Sequence, residues 1–390
     1  MSTVSWSEND TQRSARWHSE NGTPAPARIA VIDDATSTNA ALRLARPDTA
    51  LLWRGDYQNA RNLMRAMDRR LQKKAAARPA ASPSTPANTD DLGALFFAHR
   101  AARASRAAML GKILIELEPD YSIQLRRAPD VRDACTHAYG EPAEDGERTL
   151  VSLSELVGVI GAHQWHLSGI QVAALDARII PAYGVFTPTR DEYLDLVAEA
   201  PFPTGAAEPV AFDIGTGTGV IAAMLARRGA RQVVATDINP RAVACAAENA
   251  RQLGLSDRVR VAESDLWPDQ GLRADVIVCN PPWLPGTPTS DLELGIYDPD
   301  SDVLHRFLDG LAERLTPDGE GWLILSDLAE ILGLRSREEF LDRIAAAGLE
   351  VVDCLETAPR HSRATDAHDP LHAARSRERT LLWRLAARGR

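Results

Sequence analysis

At 390 residues the chain exceeds the usual size of one domain, and 44% hydrophobic with 25% charged residues is the make-up of an ordinary globular protein. No apolar run approaches the ~18 residues of a membrane span, and the polar start MSTVSWSENDTQRSARWHSE lacks the apolar core of a secretory signal. Four cysteines (Cys135, Cys245, Cys279 and Cys354) form neither a CxxC pair nor a zinc spacing, which argues against a disulfide or zinc framework and for reduced thiols in the cytoplasm.

The formal charge of −10 is unevenly spread. Residues 206–390 carry a net −8, whereas residues 43–112 hold 14 basic against 5 acidic side chains, a net +9. Such a stretch is either a solvated arginine-rich face or a contact for nucleic acid or an acidic protein surface.

In chain order, residues 1–27 are polar, contain Pro24 and Pro26, and are expected to be a disordered tail. Residues 28–180 are expected to form a mostly helical substrate-recognition region. Within it, 36–46 and 57–76 read as helices, the first capped by Thr36, Ser37 or Thr38. The Ala-, Pro-, Ser- and Thr-rich stretch 75–90 is a linker. A helix resumes from Leu92 to about Leu110, and Ile113, Ile115 and Leu117 alternate as in a strand. VSLSELVGVIGAHQW reads as a helix and ARIIPAYGVFTP as a strand or hairpin.

From about Leu150 the texture changes, and residues 181–390 are expected to form a second domain. Strand-like runs such as PVAFDIG, QVVATDI, RVRVAES, ADVIVC and GWLILSD alternate with helices, which predicts an α/β domain with a mostly parallel sheet covered on both faces. LEVVDCLETA and TLLWRLAA have no crossover helix between them and are expected to close the sheet as an antiparallel hairpin. The Arg- and His-rich segment 359–379 between them is expected to be a mobile loop.

Between the first strand and first helix of this domain stands Asp213-Ile214-Gly215-Thr216-Gly217-Thr218-Gly219. Its glycines permit positive φ and close approach of a ligand to the backbone. Position 220 is Val, so the spacing is D-x-G-x-G-x-G and departs from the dinucleotide pattern. It suits a ligand with an amino acid group in place of a pyrophosphate. Asp237, at the end of the next strand, is placed to accept hydrogen bonds from two ribose hydroxyls, and Asp265, after the third, to meet an adenine amino group.

The fourth strand runs into Asn280-Pro281-Pro282-Trp283. Two prolines fix the backbone and remove two donors, leaving carbonyl groups free. The Asn280 side-chain oxygen and the Pro281 carbonyl can each accept a hydrogen bond from a substrate NH₂ and orient its nitrogen for in-line displacement, while Trp283 stacks on the planar group.

With these motifs, residues 180–390 resemble the class I S-adenosylmethionine-dependent methyltransferases of the Asn-Pro-Pro-aromatic group. That group includes the protein-(glutamine-N5) methyltransferases and enzymes that methylate base amino groups in RNA and DNA. The resemblance implies a seven-stranded Rossmann-like domain and S-adenosyl-L-methionine as cofactor. It assigns the methionine part to Asp213, Gly215 and Gly217, the ribose to Asp237 and the adenine to Asp265, with Thr216, Gly219, Ile238 and Leu266 as further cofactor-binding residues. Asn280 borders both cofactor and target, and Asn280, Pro281, Pro282 and Trp283 form the catalytic turn. Val185 to Glu192 resembles the segment that covers the cofactor in the glutamine enzymes. Where those enzymes carry Tyr, this chain has Trp283, an indole N–H in place of a hydroxyl.

The favoured acceptor is therefore a protein, through a glutamine side chain. The alternatives are a base of ribosomal or transfer RNA, contacted through residues 43–112, and a small-molecule amide or arylamine. A cofactor-binding scaffold without activity is a further class. No metal is expected: His163 and His166 beside Trp165, and His361, His368 and His372, read as ordinary histidines.

Overall fold

The structure, a computed structural model, describes residues 2–76, 89–188, 190–203, 208–269, 271–288, 291–360, 366–367 and 369–389. The chain divides into two compact units, Met1–Thr85 with Phe97–Gln164, and Pro86–Phe96 with Trp165–Arg390. Of the expected linker, residues 77–88 lie outside the described residues.

The first unit contains β1 (Thr3–Glu8), β2 (Thr11–Trp17), β3 (Arg28–Ile32), α1 (Thr38–Leu44), β4 (Thr49–Trp53) and α2 (Tyr57–Ala76). After α3 (Thr89–Leu110), which has residues in both units, come β5 (Ile113–Leu117), α4 (Arg132–Tyr139), β6 (Thr149–Ser152) and the start of α5 (Leu153–Ser168). The expected helices are present, with Ser37 capping α1 through a bond from the Ala40 N–H at 3.2 Å. Beside them stands a six-stranded sheet in the order β1-β2-β6-β5-β4-β3, which the helical reading omits.

The disordered tail expected over residues 1–27 is corrected here: β1 and β2 form an antiparallel hairpin in that sheet. Val4, Trp6, Ala15 and Trp17 point inward and are buried, while Thr, Ser, Gln and Arg between them face out. Averaging over the segment hides this period of two. Asn9 and Asp10 connect the strands with φ of 50° and 61°, the left-handed pair that a two-residue hairpin turn requires.

The main stretch of the second unit begins at Trp165, ahead of the border expected at 180/181. The hairpin β7 (Ile170–Val172) and β8 (Ala177–Ile179) accounts for the shift, because Val172, Leu175 and Ile179 are buried in this unit's core. Then follow α6 (Glu192–Glu199), β9 (Val210–Ile214), α7 (Val220–Arg227), β10 (Gln232–Asp237), α8 (Pro240–Gln252), β11 (Val259–Glu263) and β12 (Ala274–Cys279). The short strands β13 (Leu284–Pro285) and β14 (Tyr297–Asp298) pair beyond the sheet. The unit ends with α9 (Asp302–Arg314), β15 (Leu315–Ser326), α10 (Leu328–Ile331), α11 (Arg337–Ala346), β16 (Leu349–Thr357) and β17 (Thr380–Ala387).

Its seven-stranded sheet has the order β11-β10-β9-β12-β15-β17-β16, parallel except that β17 runs antiparallel to β15 and β16. Successive strand residues face opposite sides and fill two cores. Ala211, Val233, Val276 and Trp322 pack with α6 and α7; Phe212, Val234, Ile277 and Leu323 pack with α9 and α11. Strand order reverses between β9 and β12, and a ligand crevice is expected at such a switch point, outside the carboxyl ends of the strands.

The mobile loop expected over 359–379 also needs correction. Residues 361–365 and 368 lie outside the described residues, but Leu371, Ala374 and Glu378 are buried around a helical turn, His372–Arg375. Leu371 and Ala374 share a core with Leu328 and Leu332, which is why this stretch is packed. Among the described residues no helix is long and apolar enough to cross a membrane. The four cysteines are free thiols.

Candidate active site

Asp213 is the last residue but one of β9, and its side chain is buried beneath the glycine turn. The Thr216 hydroxyl and the Ala222 N–H donate to its Oδ2 at 2.6 and 3.0 Å, tying strand, turn and α7 together. The other oxygen, Oδ1, is buried with no hydrogen-bond partner among the described residues. Burial pushes this carboxyl up to about 7 against the pull of the two hydrogen bonds, and the Asp237 charge adds to the rise.

The turn between β9 and α7 needs its glycines. Gly215, Gly217 and Gly219 have φ of 72°, 55° and 80°, and a Cβ on Gly219 would sit 3.0 Å from the Ala246 backbone Cα. The Gly215 and Thr216 N–H groups donate to the Thr236 carbonyl, both at 2.9 Å, so the turn is drawn over the end of β10. There the Asp237 carboxylate accepts from the Gly217 N–H through Oδ2 and from the Asn239 N–H through Oδ1, each at 2.9 Å. Burial raises this carboxyl too, with those N–H bonds opposing it.

Beyond β11, Ser264 N–H donates to the Asp237 carbonyl at 3.0 Å, and the Thr236 hydroxyl donates to the Leu266 carbonyl at 2.5 Å. The second and third strand-end turns are thus joined. Asp265 is exposed and accepts a hydrogen bond from Arg306 Nη2 at 2.7 Å. Ile238 is an exposed apolar side chain directly after Asp237, and Leu266 is half-buried with φ of 73°.

β12, the neighbour of β9 in the sheet, delivers Asn280, buried Pro281, and half-buried Pro282 and Trp283. The Trp283 indole N–H donates to Asn280 Oδ1 at 2.8 Å. The site residues expected at four strand ends are therefore brought to the carboxyl edge of four adjacent strands, β11, β10, β9 and β12. Asp213 and Asp237 meet through the glycine turn, and Asn280 is bonded to Trp283.

Four further residues support this edge. Asn249 of α8 donates to the Thr218 carbonyl at 2.9 Å and accepts from the Ile180 N–H at 2.8 Å, fastening the glycine turn to the segment after β8. Arg306 of α9 holds Asp265. Arg190 lies over the Trp283 ring at 4.9 Å from its centroid and is paired with Glu378. Only an amphipathic reading of α8 could have singled out Asn249, as a polar residue among Ala242, Cys245 and Ala246; Arg190 lies in the Val185–Glu192 stretch already picked out by resemblance, and Arg306 and Glu378 have no local signal. Thr189 lies outside the described residues. No group of three or more His, Cys, Asp or Glu side chains suited to a metal ion occurs among the described residues.

The pattern of the methyltransferase small domain family matches residues 184–331. A release factor glutamine methyltransferase of Moorella thermoacetica is 36% identical over 197 residues, covering 45% of this chain and 69% of that protein. This chain belongs to the class I S-adenosylmethionine-dependent methyltransferases. A second release factor glutamine methyltransferase, from Cereibacter sphaeroides, is 33% identical over 178 residues, covering 42% of this methyltransferase and 62% of the relative. A tRNA1(Val) (adenine(37)-N6)-methyltransferase of Parabacteroides distasonis is 32% identical over 136 residues, 33% of this chain and 54% of that one. S-adenosylmethionine is the cofactor of this methyltransferase, and the buried, unpartnered Asp213 Oδ1 under a three-glycine turn fits its amino group.

Proposed function

We propose that this methyltransferase methylates the side-chain amide nitrogen of a glutamine in a protein. The observation that carries the reading is the Asn280-Pro281-Pro282-Trp283 turn on β12, one strand from the glycine turn on β9. Two relatives named as release factor glutamine methyltransferases support the choice of acceptor.

In this reading Asp213 Oδ1 accepts from the cofactor's ammonium group, and the backbone of Gly215, Thr216, Gly217 and Gly219 lines its methionine part. Asp237, its carboxylate already oriented by two backbone N–H groups, takes the ribose hydroxyls. Ile238 and Leu266 flank the adenine, and Asp265, steadied by Arg306, accepts from its amino group. The cofactor supplies a methyl group on a sulfonium.

An amide oxygen has two lone pairs, so Asn280 Oδ1 retains one for a substrate N–H beside its bond to Trp283. The Pro281 carbonyl takes the other. Two acceptors on one NH₂ fix the nitrogen in line with the methyl carbon, where alignment of this kind supplies a large part of the rate. The target nitrogen forms the N–C bond as the S–C bond breaks, S-adenosylhomocysteine leaves, and the nitrogen releases one proton to water.

A second reading, methylation of an RNA base amino group, has its own support. Arg65, Arg69 and Lys73 follow one another at four-residue spacing along α2 and are exposed, with Arg70 and Lys74 beside them. A tRNA adenine methyltransferase is also among the relatives. Incubating the full chain with methyl-labelled cofactor and separate protein and RNA fractions of a lysate distinguishes the two. Label in the protein fraction is expected; label in RNA alone would replace the first reading by the second.

A further inference from the structure

Two buried carboxylates from distant parts of the second unit converge on a single guanidinium next to the catalytic turn. Glu192, at the start of α6, accepts from Arg190 Nε at 3.2 Å, and Glu378, just before β17, accepts from Arg190 Nη2 at 2.9 Å. Both carboxylates are almost wholly removed from solvent, at 1% and 0% exposure. The Ser326 hydroxyl donates to the same Glu378 oxygen at 2.6 Å and accepts from the Leu328 N–H at 3.0 Å, which anchors Glu378 to the end of β15. A guanidinium held at two of its nitrogens by two buried carboxylates has little freedom to turn, and its carbon stands 4.9 Å from the centre of the Trp283 ring.

The indole N–H is a donor and nothing else, so its partner must be an acceptor. At 2.8 Å it meets the oxygen of the Asn280 side chain, and this settles which way that amide faces: Oδ1 towards Trp283, Nδ2 away. An aromatic ring without a donor at this position would stack equally well and leave the amide free to turn over. Turned over, the amide would offer donors where the target amine needs an acceptor.

We propose that Arg190 is a positioning residue for methyl transfer: held by Glu192 and Glu378, it fixes the Trp283 ring, whose N–H locks the Asn280 amide with one Oδ1 lone pair open to the target nitrogen. The role given to that lone pair rests on the N-methylation reading; the clamp itself does not. The chain from Glu378 to Asn280 also explains why the segment before β17 is packed against the unit and not left in solvent. Its carboxylate is one end of the support for the catalytic turn.

The test uses the full chain labelled with ¹⁵N-tryptophan. Each of its eight tryptophans contributes one indole N–H cross-peak, and the one missing from Trp283→Phe belongs to Trp283. Arg190→Lys keeps the charge without the planar fork, and Glu378→Gln keeps the shape without the charge. In both, the Trp283 cross-peak is expected to shift and its exchange with solvent to rise by about tenfold or more, with cofactor affinity within about twofold of wild type. Turnover on the protein fraction, followed with labelled cofactor, is expected to fall about tenfold, and Arg190→Lys added to Trp283→Phe to cost no more than Trp283→Phe alone. Variants that melt like wild type yet leave the cross-peak unmoved would overturn the clamp. A shifted cross-peak with wild-type turnover would overturn its role in transfer. If the wild type labels no protein at all, the glutamine reading fails while the cross-peaks still decide the clamp.

Discussion

Each unit of the molecule places an aspartate at or just beyond the end of the second strand of a βαβ pair, and the two are surrounded in opposite ways. In the first unit Asp56, beyond β4, has its carboxylate enclosed: Arg126 and Arg127 donate to one oxygen at 2.9 and 2.6 Å, and the Gln58 N–H to the other at 2.9 Å. The Arg127 hydrogen bond leads the forces that hold this acid down to about 2. No glycine stands between β3 and α1, where Asp33, Asp34, Ala35, Thr36 and Ser37 form the connection, and Asp34 is spent on the Asp56 N–H and the Asn59 side chain. In the second unit the Asp237 carboxylate accepts from the Gly217 and Asn239 N–H groups and from no cation among the described residues, where Asp213 likewise keeps a buried oxygen unpartnered. Burial raises both acids. A strand-end carboxylate neutralised by its own chain is a structural pin; one left short of partners is a candidate ligand site.

The largest effect that separates the two edges concerns Asn280. Asn280→Ala is expected to lower turnover by about 10²–10³-fold, the cost of removing one well-placed polar group from a transition state, with cofactor affinity little changed in a direct titration. Next come the paired aspartates. Asp237→Ala should weaken cofactor binding by about ten- to a hundredfold, the worth of two hydrogen bonds to a charged acceptor, and scarcely move the melting temperature. Asp56→Ala should do the reverse, lowering the melting temperature and leaving cofactor affinity alone; equal loss of binding in both would erase the distinction drawn here.

Gly219→Ala comes third. It combines a φ of 80° with a Cβ contact of 3.0 Å to Ala246 and should destabilise the chain by about 1–3 kcal/mol in denaturant unfolding. Gly22, also at positive φ but with nothing within 4 Å, supplies the milder control.

The smallest effect is one of pH. Folding raises Asp213 from its ordinary 3.8 to about 7, so its contribution to stability is full below about pH 4 and falls away as pH rises through 7. Asp56 runs the other way, its contribution present above 3.8 and lost as pH falls towards 2. If the cofactor's ammonium requires the ionised Asp213, binding releases a proton below pH 7. Affinity should then drop about tenfold per unit below that point, and Asp213→Asn should flatten the profile.

Much of the second unit was legible in the sequence because its strands are apolar runs closed by turns whose residues have few alternatives. Gly215, Gly217 and Gly219 adopt positive φ, and Asn280-Pro281-Pro282 ends a buried strand, so motif and geometry coincide. The β1–β2 hairpin was not legible from composition, since Val4, Trp6, Ala15 and Trp17 are diluted by polar neighbours; its signal was alternation on either side of Asn9-Asp10. β3 and β4 are five-residue runs, RIAVI and TALLW, lying beside helix-forming Ala, Leu and Arg, and the longer helical pattern masked them. The Arg190–Glu378 pair spans 188 positions and has no local pattern at all. Such a contact exists only once the sheet has placed β15, β17 and the catalytic turn side by side.

The most direct test of the central claim locates the transferred methyl group. The full chain is incubated with cofactor carrying a deuterated methyl group and a cell lysate, and the protein fraction is digested and sequenced by tandem mass spectrometry. Heavy methyl on a glutamine side-chain amide in the wild-type reaction, and none with Asn280→Ala, is the predicted result. Heavy methyl confined to RNA, or glutamine methylation undiminished in Asn280→Ala, would contradict it.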